Sequence, residues 1–385
     1  MIRKLATCIC LFFYFLGFSQ ITLDETIASE YLQDLRDIKI YIPESYEFET
    51  KKFYPLAIVL DSEHLFDLYI ANSILFAKKD KAPEQIVVGI SMSETKAKDT
   101  YFNKKTGSLT IGNTNFYKFI RNELIFKVTS NYRTSPFISL IGEGTSANLV
   151  AHFLDEKKPF INSYTCINPT FSDFVNREFG EYRLKKLDKA DNTFYLYINN
   201  STSFSEKKQQ KIKGLQDFLN LFKVTNLNII SDNLQTDSTI SAMSEAIPRA
   251  LTKIFEIYSA ISEEEFETKI KELSPIDAIS YLENKYLEIE FLFGSNLNIR
   301  ESDIYAIEGI VIEKENGGQL LEFGKLILSL FPESPLGNYY KGMYYELGKQ
   351  YRKALKHYKI GYGKMDPSDP KADAFYENIL RASEN

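Results

Sequence analysis

Tryptophan is absent from this chain of 385 residues, and cysteine, histidine and methionine number only three, three and five. Cys8 and Cys10 sit in the first ten residues, so a chain that sheds its leader keeps Cys166 alone and can close no internal disulfide. His64, His152 and His357 are scattered, and with a single remaining thiol they offer no metal-binding spacing. No metal or other cofactor is expected. Positive charge is also short: 46 Lys and Arg stand against 52 Asp and Glu, a net −6, which argues against nucleic acid as the main partner. Gly142-Glu143-Gly144 lacks the third glycine of a dinucleotide fingerprint.

What is present suits a packed core: 44% of residues are hydrophobic and 14% aromatic, the latter all Tyr and Phe. The length points to two domains. At the start, Arg3 and Lys4 precede an apolar run from Leu5 to Phe18, followed by Ser19 and Gln20. A basic start, a short apolar run and small residues after it define a secretory signal. The run is shorter than the roughly 20 residues a bilayer span needs, so cleavage near Ser19 is favoured over an anchor. Cys8 lies too early in the run to be a lipid-anchor cysteine. Residues 1–20 are therefore expected to be a signal peptide, the mature protein to be exported to the periplasm or cell surface, and no transmembrane segment to follow.

After the leader, Ile38, Ile40 and Ile42 alternate as in a half-buried strand stopped by Pro43. Tyr54 to Leu60 is continuously apolar, as in a strand buried on both faces. A helix over 65–77, a strand over 85–90, a helix over 115–128 and a strand over 137–141 follow. The run Pro136-Phe137-Ile138-Ser139-Leu140-Ile141-Gly142-Glu143-Gly144-Thr145-Ser146-Ala147 then reads as a buried strand, a tight glycine turn and an apolar helix extending to Leu154. Further strands are predicted at 163–169, 193–198 and 227–230, with helices at 215–222 and 245–258. Strands alternating with helices predict a parallel, doubly wound sheet over 21–259.

From about Ile261 the pattern is helical throughout, with 260–302 expected as a connector. Gly342, Tyr345, Tyr351, Ala354, Tyr358 and Gly361, followed by Asp366-Pro367, lie near tetratricopeptide-repeat spacing. Gly309 precedes Gly342 by 33 residues, close to the repeat's period of about 34. The span 303–385 is thus expected to be tetratricopeptide-like, with Tyr345 and Tyr358 as candidate binding residues on a surface for a protein partner.

The strand–turn–helix around Gly142 is the setting of the nucleophile elbow of α/β-hydrolases, in which G-x-S-x-G sets a serine on a sharp corner. Several landmarks accompany it: Leu35-Arg36 with Tyr41-Ile42-Pro43, Tyr54-Pro55 through Asp61-Ser62, Ile86-Val87-Val88-Gly89-Ile90 with Asp99, Ile167-Asn168-Pro169, and Ile247-Pro248-Arg249-Ala250-Leu251. In this order they resemble the putative-esterase family, the group around esterase D and enterochelin esterase, and in particular bacterial members with a tetratricopeptide tail. The resemblance implies an α/β-hydrolase fold with an oxyanion turn at Asp61-Ser62.

The resemblance also places the catalytic positions, and there the chain departs. The family's Gly-His-Ser-x-Gly-Gly falls on Gly142, Glu143, Gly144, Thr145, Ser146 and Ala147, so glycine stands in the nucleophile slot. The family's histidine falls on Asp237, and its acid on the neighbourhood of Asn199-Asn200-Ser201, with Glu206 the nearest carboxylate.

A serine hydrolase needs a hydroxyl, a base beside it and an orienting acid. Ser146 is a weak substitute nucleophile, since two residues past the slot it falls in the first helical turn, where a small packing or capping residue suffices. His64 is a weak substitute base that reads more simply as a helix-start residue. Glu143 and Asp237 could pair as an acid–base couple, or be two solvated carboxylates. The lysines around 207–213 read as a solvated helix face. The expectation is an exported, esterase-like pseudoenzyme, with Glu143, Asp61 and Ser62 lining a vestigial cleft that could hold a small ligand. Its role would be binding within a cell-envelope or surface assembly; the alternative is a weak or altered serine-type esterase acting on a small ester or acyl substrate.

Overall fold

Among the described residues eight strands make one sheet: β1 (Ile21–Ser29), β2 (Asp34–Ile42), β3 (Tyr54–Val59), β4 (Ile86–Ile90), β5 (Thr134–Glu143), β6 (Ser163–Ile167), β7 (Phe194–Ser201) and β8 (Leu227–Leu234). Their order is β1-β2-β4-β3-β5-β6-β7-β8. The β1–β2 and β2–β4 pairs are antiparallel, and the remaining pairs are parallel. Every residue of β3, β4, β6 and β7 is buried, as parallel strands under flanking helices must be. The computed structural model describes residues 21–384 apart from 104, 105, 155, 157, 173, 174, 176–183, 191, 222, 223, 295, 296, 298, 367, 370 and 371. The expected leader at residues 1–20, with Cys8 and Cys10, lies outside the described residues.

The flanking helices are α1 (Ser62–Lys78), α2 (Lys96–Thr100), α3 (Ile111–Lys118), α4 (Ile125–Asn131), α5 (Thr145–Leu154), α6 (Glu206–Asn220) and α7 (Thr239–Ile254). Among the described residues no helix is long and apolar enough to cross a membrane. The chain divides into two compact units, 1–258 with Leu292–Ser295, and Ser259–Phe291 with the residues from Asn296 on. In the first unit Phe137, Phe255 and Phe293 form an aromatic triangle with ring centres 5.0 to 5.6 Å apart.

The α/β architecture expected from the sequence is the one observed, with local differences; α2 was not anticipated, and α7 runs over Thr239–Ile254 rather than 245–258. Strand β1 was not anticipated, because Asp24 and Glu25 break its apolar alternation and most of this edge strand is exposed. The helix expected over 115–128 is α3 and α4 joined by a π-helical stretch, Phe119–Leu124. That stretch presents Glu123 to the β1–β2 turn, where its carboxylate accepts from the Ser29 hydroxyl and from the Glu30 and Tyr31 amides. Helix α6 begins at Glu206, well before the expected 215, because its first turns are polar and bury only Ile212.

The second unit contains α8 (Pro275–Phe293, its last two residues counted with the first unit), α9 (Glu301–Glu313), α10 (Leu320–Leu330), α11 (Leu336–Leu347), α12 (Tyr351–Tyr362) and α13 (Ala372–Ser383). The last four helices each pack on the next. Tyr358, expected on a binding surface, is instead fully buried between α11 and α12. Its ring fills the space over Gly342, and its hydroxyl donates to Glu346 at 2.6 Å. Tyr345 is half-buried, stacked on His357 with ring centres 5.4 Å apart.

Two predictions follow from this packing. A Cβ at Gly342 would lie 2.4 Å from the Tyr358 ring, and a ring so enclosed cannot yield cheaply. Gly342→Ala is expected to lower unfolding free energy by about 1–3 kcal/mol, measured by denaturant titration. Glu346 titrates below the ordinary glutamate value of 4.5, chiefly because Arg381 donates to it. A depressed folded-state value means that this contribution is full above the unfolded value and is lost as pH falls through the folded one. Arg381 is largely exposed, so Arg381→Ala should cost no more than about 1 kcal/mol at neutral pH. That difference from the parent should close as melting is followed into the acid range.

Candidate functional site

The C-terminal ends of β3, β5, β6 and β7 carry a cluster of polar residues, and the corner after β5 is its centre. Gly144 has φ of +65°, a left-handed conformation that costs a side-chain-bearing residue and costs glycine nothing. Its N–H donates to the Ile167 carbonyl at 3.0 Å, and its carbonyl accepts from Thr170 at 2.8 Å. Gly142 allows α5 to fold back tightly on β5, since a Cβ there would meet Ser146 at 2.9 Å and Val150 at 3.0 Å. A Cβ at Gly144, by contrast, would meet nothing within 4 Å. The place where an attacking side chain would project is open space.

Asp61 fixes this corner from the neighbouring turn. It ends the segment leading from β3 into α1, takes a left-handed φ of +55° and is 1% exposed. Its Oδ2 accepts from the Glu143 N–H at 3.2 Å. Its Oδ1 accepts from Ser146 Oγ at 3.1 Å and pairs with Lys96 Nζ at 2.9 Å. Lys96 lies 3.6 Å from Glu143 as well. A carboxylate buried this deeply needs such charge-assisted partners.

The sequence-predicted site residues fall as follows. Ser146 is fully buried, with its hydroxyl committed to Asp61. Ser62 is buried at the start of α1, whereas His64, two residues on, is exposed. Asp237 is exposed in the loop between β8 and α7, and Glu143 pairs with Lys96. The acid position holds amides: Asn199 accepts from the Asn168 N–H at 2.7 Å and donates to Asn168 Oδ1 at 3.0 Å, while Asn200 donates to the Gln209 carbonyl. Glu206 is exposed at the start of α6. Structure thus unites Asp61, Glu143 and Ser146, and leaves His64 and Asp237 exposed to solvent.

Two cations were not recognised from sequence. Lys96 belongs to the five-residue helix α2 and carries no local pattern. Lys208 sits in the lysine-rich stretch read as a solvated face, yet it is only partly exposed and donates to the Asn168 carbonyl at 2.8 Å. Burial pulls its pKa below the usual lysine value, with the Glu143 carboxylate opposing. Helix α6 packs on β7 and β8, and from it Lys208 reaches the residue after β6. Cys166 faces Gly142 in the β5–β6 register and is buried against the Ala147 carbonyl. Burial pushes its thiol pKa far up.

Chemically, the corner offers backbone donors and fixed charges, Gly144 carries no side chain, and the Ser146 hydroxyl is committed to Asp61. Asp61 is the residue whose loss should be felt most. Asp61→Ala should destabilise the fold by about 2–3 kcal/mol through the loss of hydrogen bonds to a charged group. Asp61→Asn should cost less, because asparagine accepts the left-handed backbone and can still bond Ser146. Chemical denaturation of both variants checks the order.

Residues 29–150 match the family model described as Putative esterase. No curated protein matches the sequence. Among solved structures, an uncharacterised protein from Capnocytophaga ochracea is similar with a TM-score of 0.80 at 23% identity, covering 95% of this chain and 100% of that one. An IroE-like serine hydrolase from Shewanella oneidensis gives a TM-score of 0.56 at 18% identity, covering 80% of this chain and 98% of that one. The BES protein from Bacillus cereus gives 0.52 at 18% identity, over 61% of this chain and 97% of that one. At these identities the likeness is one of fold. The family match over residues 29–150, the strand order and the glycine corner agree on an α/β-hydrolase type of fold for this unit.

Proposed function

We propose that this protein is an exported binding component of a cell-envelope or surface assembly, built on an esterase-type domain that has lost its hydrolytic chemistry. The observation that carries the reading is Gly144: the corner keeps its left-handed backbone and presents no side chain. The nearest hydroxyl that could replace it, Ser146, is fully buried on Asp61. The family's histidine position is the exposed carboxylate of Asp237. A nucleophile without a base beside it is inert, and here both roles are unfilled.

The basic and apolar start of the sequence supports export. Spacing of Gly342, Ala354, Tyr358 and Gly361 along paired helices supports a tetratricopeptide-like tail, and such tails dock protein segments. Tyr345, half-buried and stacked on His357, is a candidate contact residue of that tail. The clear space over Gly144 leaves room for a small ligand in the cleft.

A fluorophosphonate probe and a chromogenic ester test the reading directly. The full-length protein should form no adduct and give no turnover above buffer. Gly144→Ser should fold with a penalty of about 1–2 kcal/mol from its left-handed backbone and remain inactive, because position 237 supplies no imidazole. An adduct on Ser146 that Ser146→Ala removes would overturn the binding role.

A further inference from the structure

A cavity of about 330 Å³ opens at the C-terminal ends of β7 and β8, two strands from the corner after β5. The carboxyl ends of parallel strands are where open α/β sheets take their ligands. One wall is the start of α6, where Glu206, Gln209 and Lys213 recur at i, i+3 and i+7 and so share one helix face. Facing them are Asn200 and Asn233, register partners on β7 and β8 that lie on the same face of the sheet. Two of the amides are held in place. Asn200 Nδ2 donates to the main-chain carbonyl of Gln209 at 3.0 Å. Gln209 Nε2 donates to the Phe204 carbonyl at 2.7 Å, which leaves Oε1 as an acceptor. The side chains of Glu206, Lys213 and Asn233 are exposed and bond to no described residue.

We propose that this cavity binds a short zwitterionic peptide, its ammonium on Glu206, its carboxylate on Lys213 and its peptide groups on the amides between. The two charges are opposite in sign yet do not meet, because seven residues of helix set them about 10 Å apart along the axis. An extended chain advances roughly 3.3–3.6 Å per residue, so a tripeptide spans about that distance. Asparagine and glutamine each carry a donor and an acceptor, which is what a peptide group asks for. A neutral sugar would use the amides and leave both charges unanswered, and an anion would meet the Glu206 carboxylate. Leu234 is the one apolar residue in the lining, so the site reads the ends and the backbone of the peptide rather than its side chains. No residue of the glycine corner takes part, and the site stands whether or not the esterase chemistry is lost.

Triglycine, its N-acetyl form and its C-terminal amide, titrated against the full-length protein by saturation-transfer NMR, test the proposal, with glucose as a neutral control. Triglycine should bind saturably, and each capped form about three- to fivefold more weakly, as the loss of one exposed ion pair implies. Glu206→Gln should weaken triglycine by a similar factor and erase its advantage over the N-acetyl form, while its advantage over the amide persists. Lys213→Met should do the reverse. Both positions are exposed on α6, and the comparison of capped forms on the parent protein needs no variant. No saturable binding of triglycine, or capped forms bound as tightly, would overturn the proposal. So would discrimination that survives in both variants, which would put the peptide elsewhere on the molecule. Glucose bound as tightly as triglycine would overturn it too, marking a site for neutral polyols.

Discussion

A single buried carboxylate ties the two turns that matter most in this fold. Asp61 closes the segment after β3, and the groups it binds lie in the corner after β5 and in α2. Leaving such a charge unpartnered away from water is costly, so once it is in place the corner, the Ser146 hydroxyl and Lys96 are held in one arrangement. This explains how the corner keeps its shape with glycine at its apex. Its geometry is maintained by the ion cluster of Asp61, Lys96 and Glu143.

Much of the sheet was readable because its inner strands are uniformly apolar, as in Leu56 to Val59 and Ile86 to Ile90, and a continuous apolar run has few other uses. The corner was readable because its glycines serve backbone geometry, which is local. What could not be read were pairings across long stretches of chain. Asp61 and Ser146 are 85 residues apart, and Arg36 meets Asp99 in a buried ion pair across 63. Lys208 looked like its neighbours because a run of lysines on a polar helix start carries no sign of which one faces a strand end. The edge strand β1 was missed because most of it is exposed and Glu25 interrupts the alternation of Ile21, Leu23 and Ile27.

The tyrosine-rich composition has its use in the helical unit. Tyr340 donates to Glu308, Tyr358 to Glu346, Tyr286 to Asp303 and Tyr281 to Glu265, each within 2.8 Å. The rings supply packing area between helices, and each hydroxyl meets a carboxylate, so large side chains are buried without an orphaned polar tip. Burial first, and then the adjacent carboxylates, push these phenols well above their ordinary pKa. They stay protonated donors throughout the physiological range. The arrangement also explains why Tyr358 is fully buried and Tyr345 only half-buried: the ring of Tyr358 fits over Gly342, while that of Tyr345 lies against His357.

The position of Cys166 gives the molecule a silent internal reporter. Its sulfur lies in the strand next to the glycine corner, with no exposure to solvent and a thiol held firmly protonated. Thiolate chemistry is closed to it while the sheet is intact. Alkylating reagents therefore gain access only when β5 and β6 part or α5 lifts away, so modification at this one atom counts the openings of the molecule's centre.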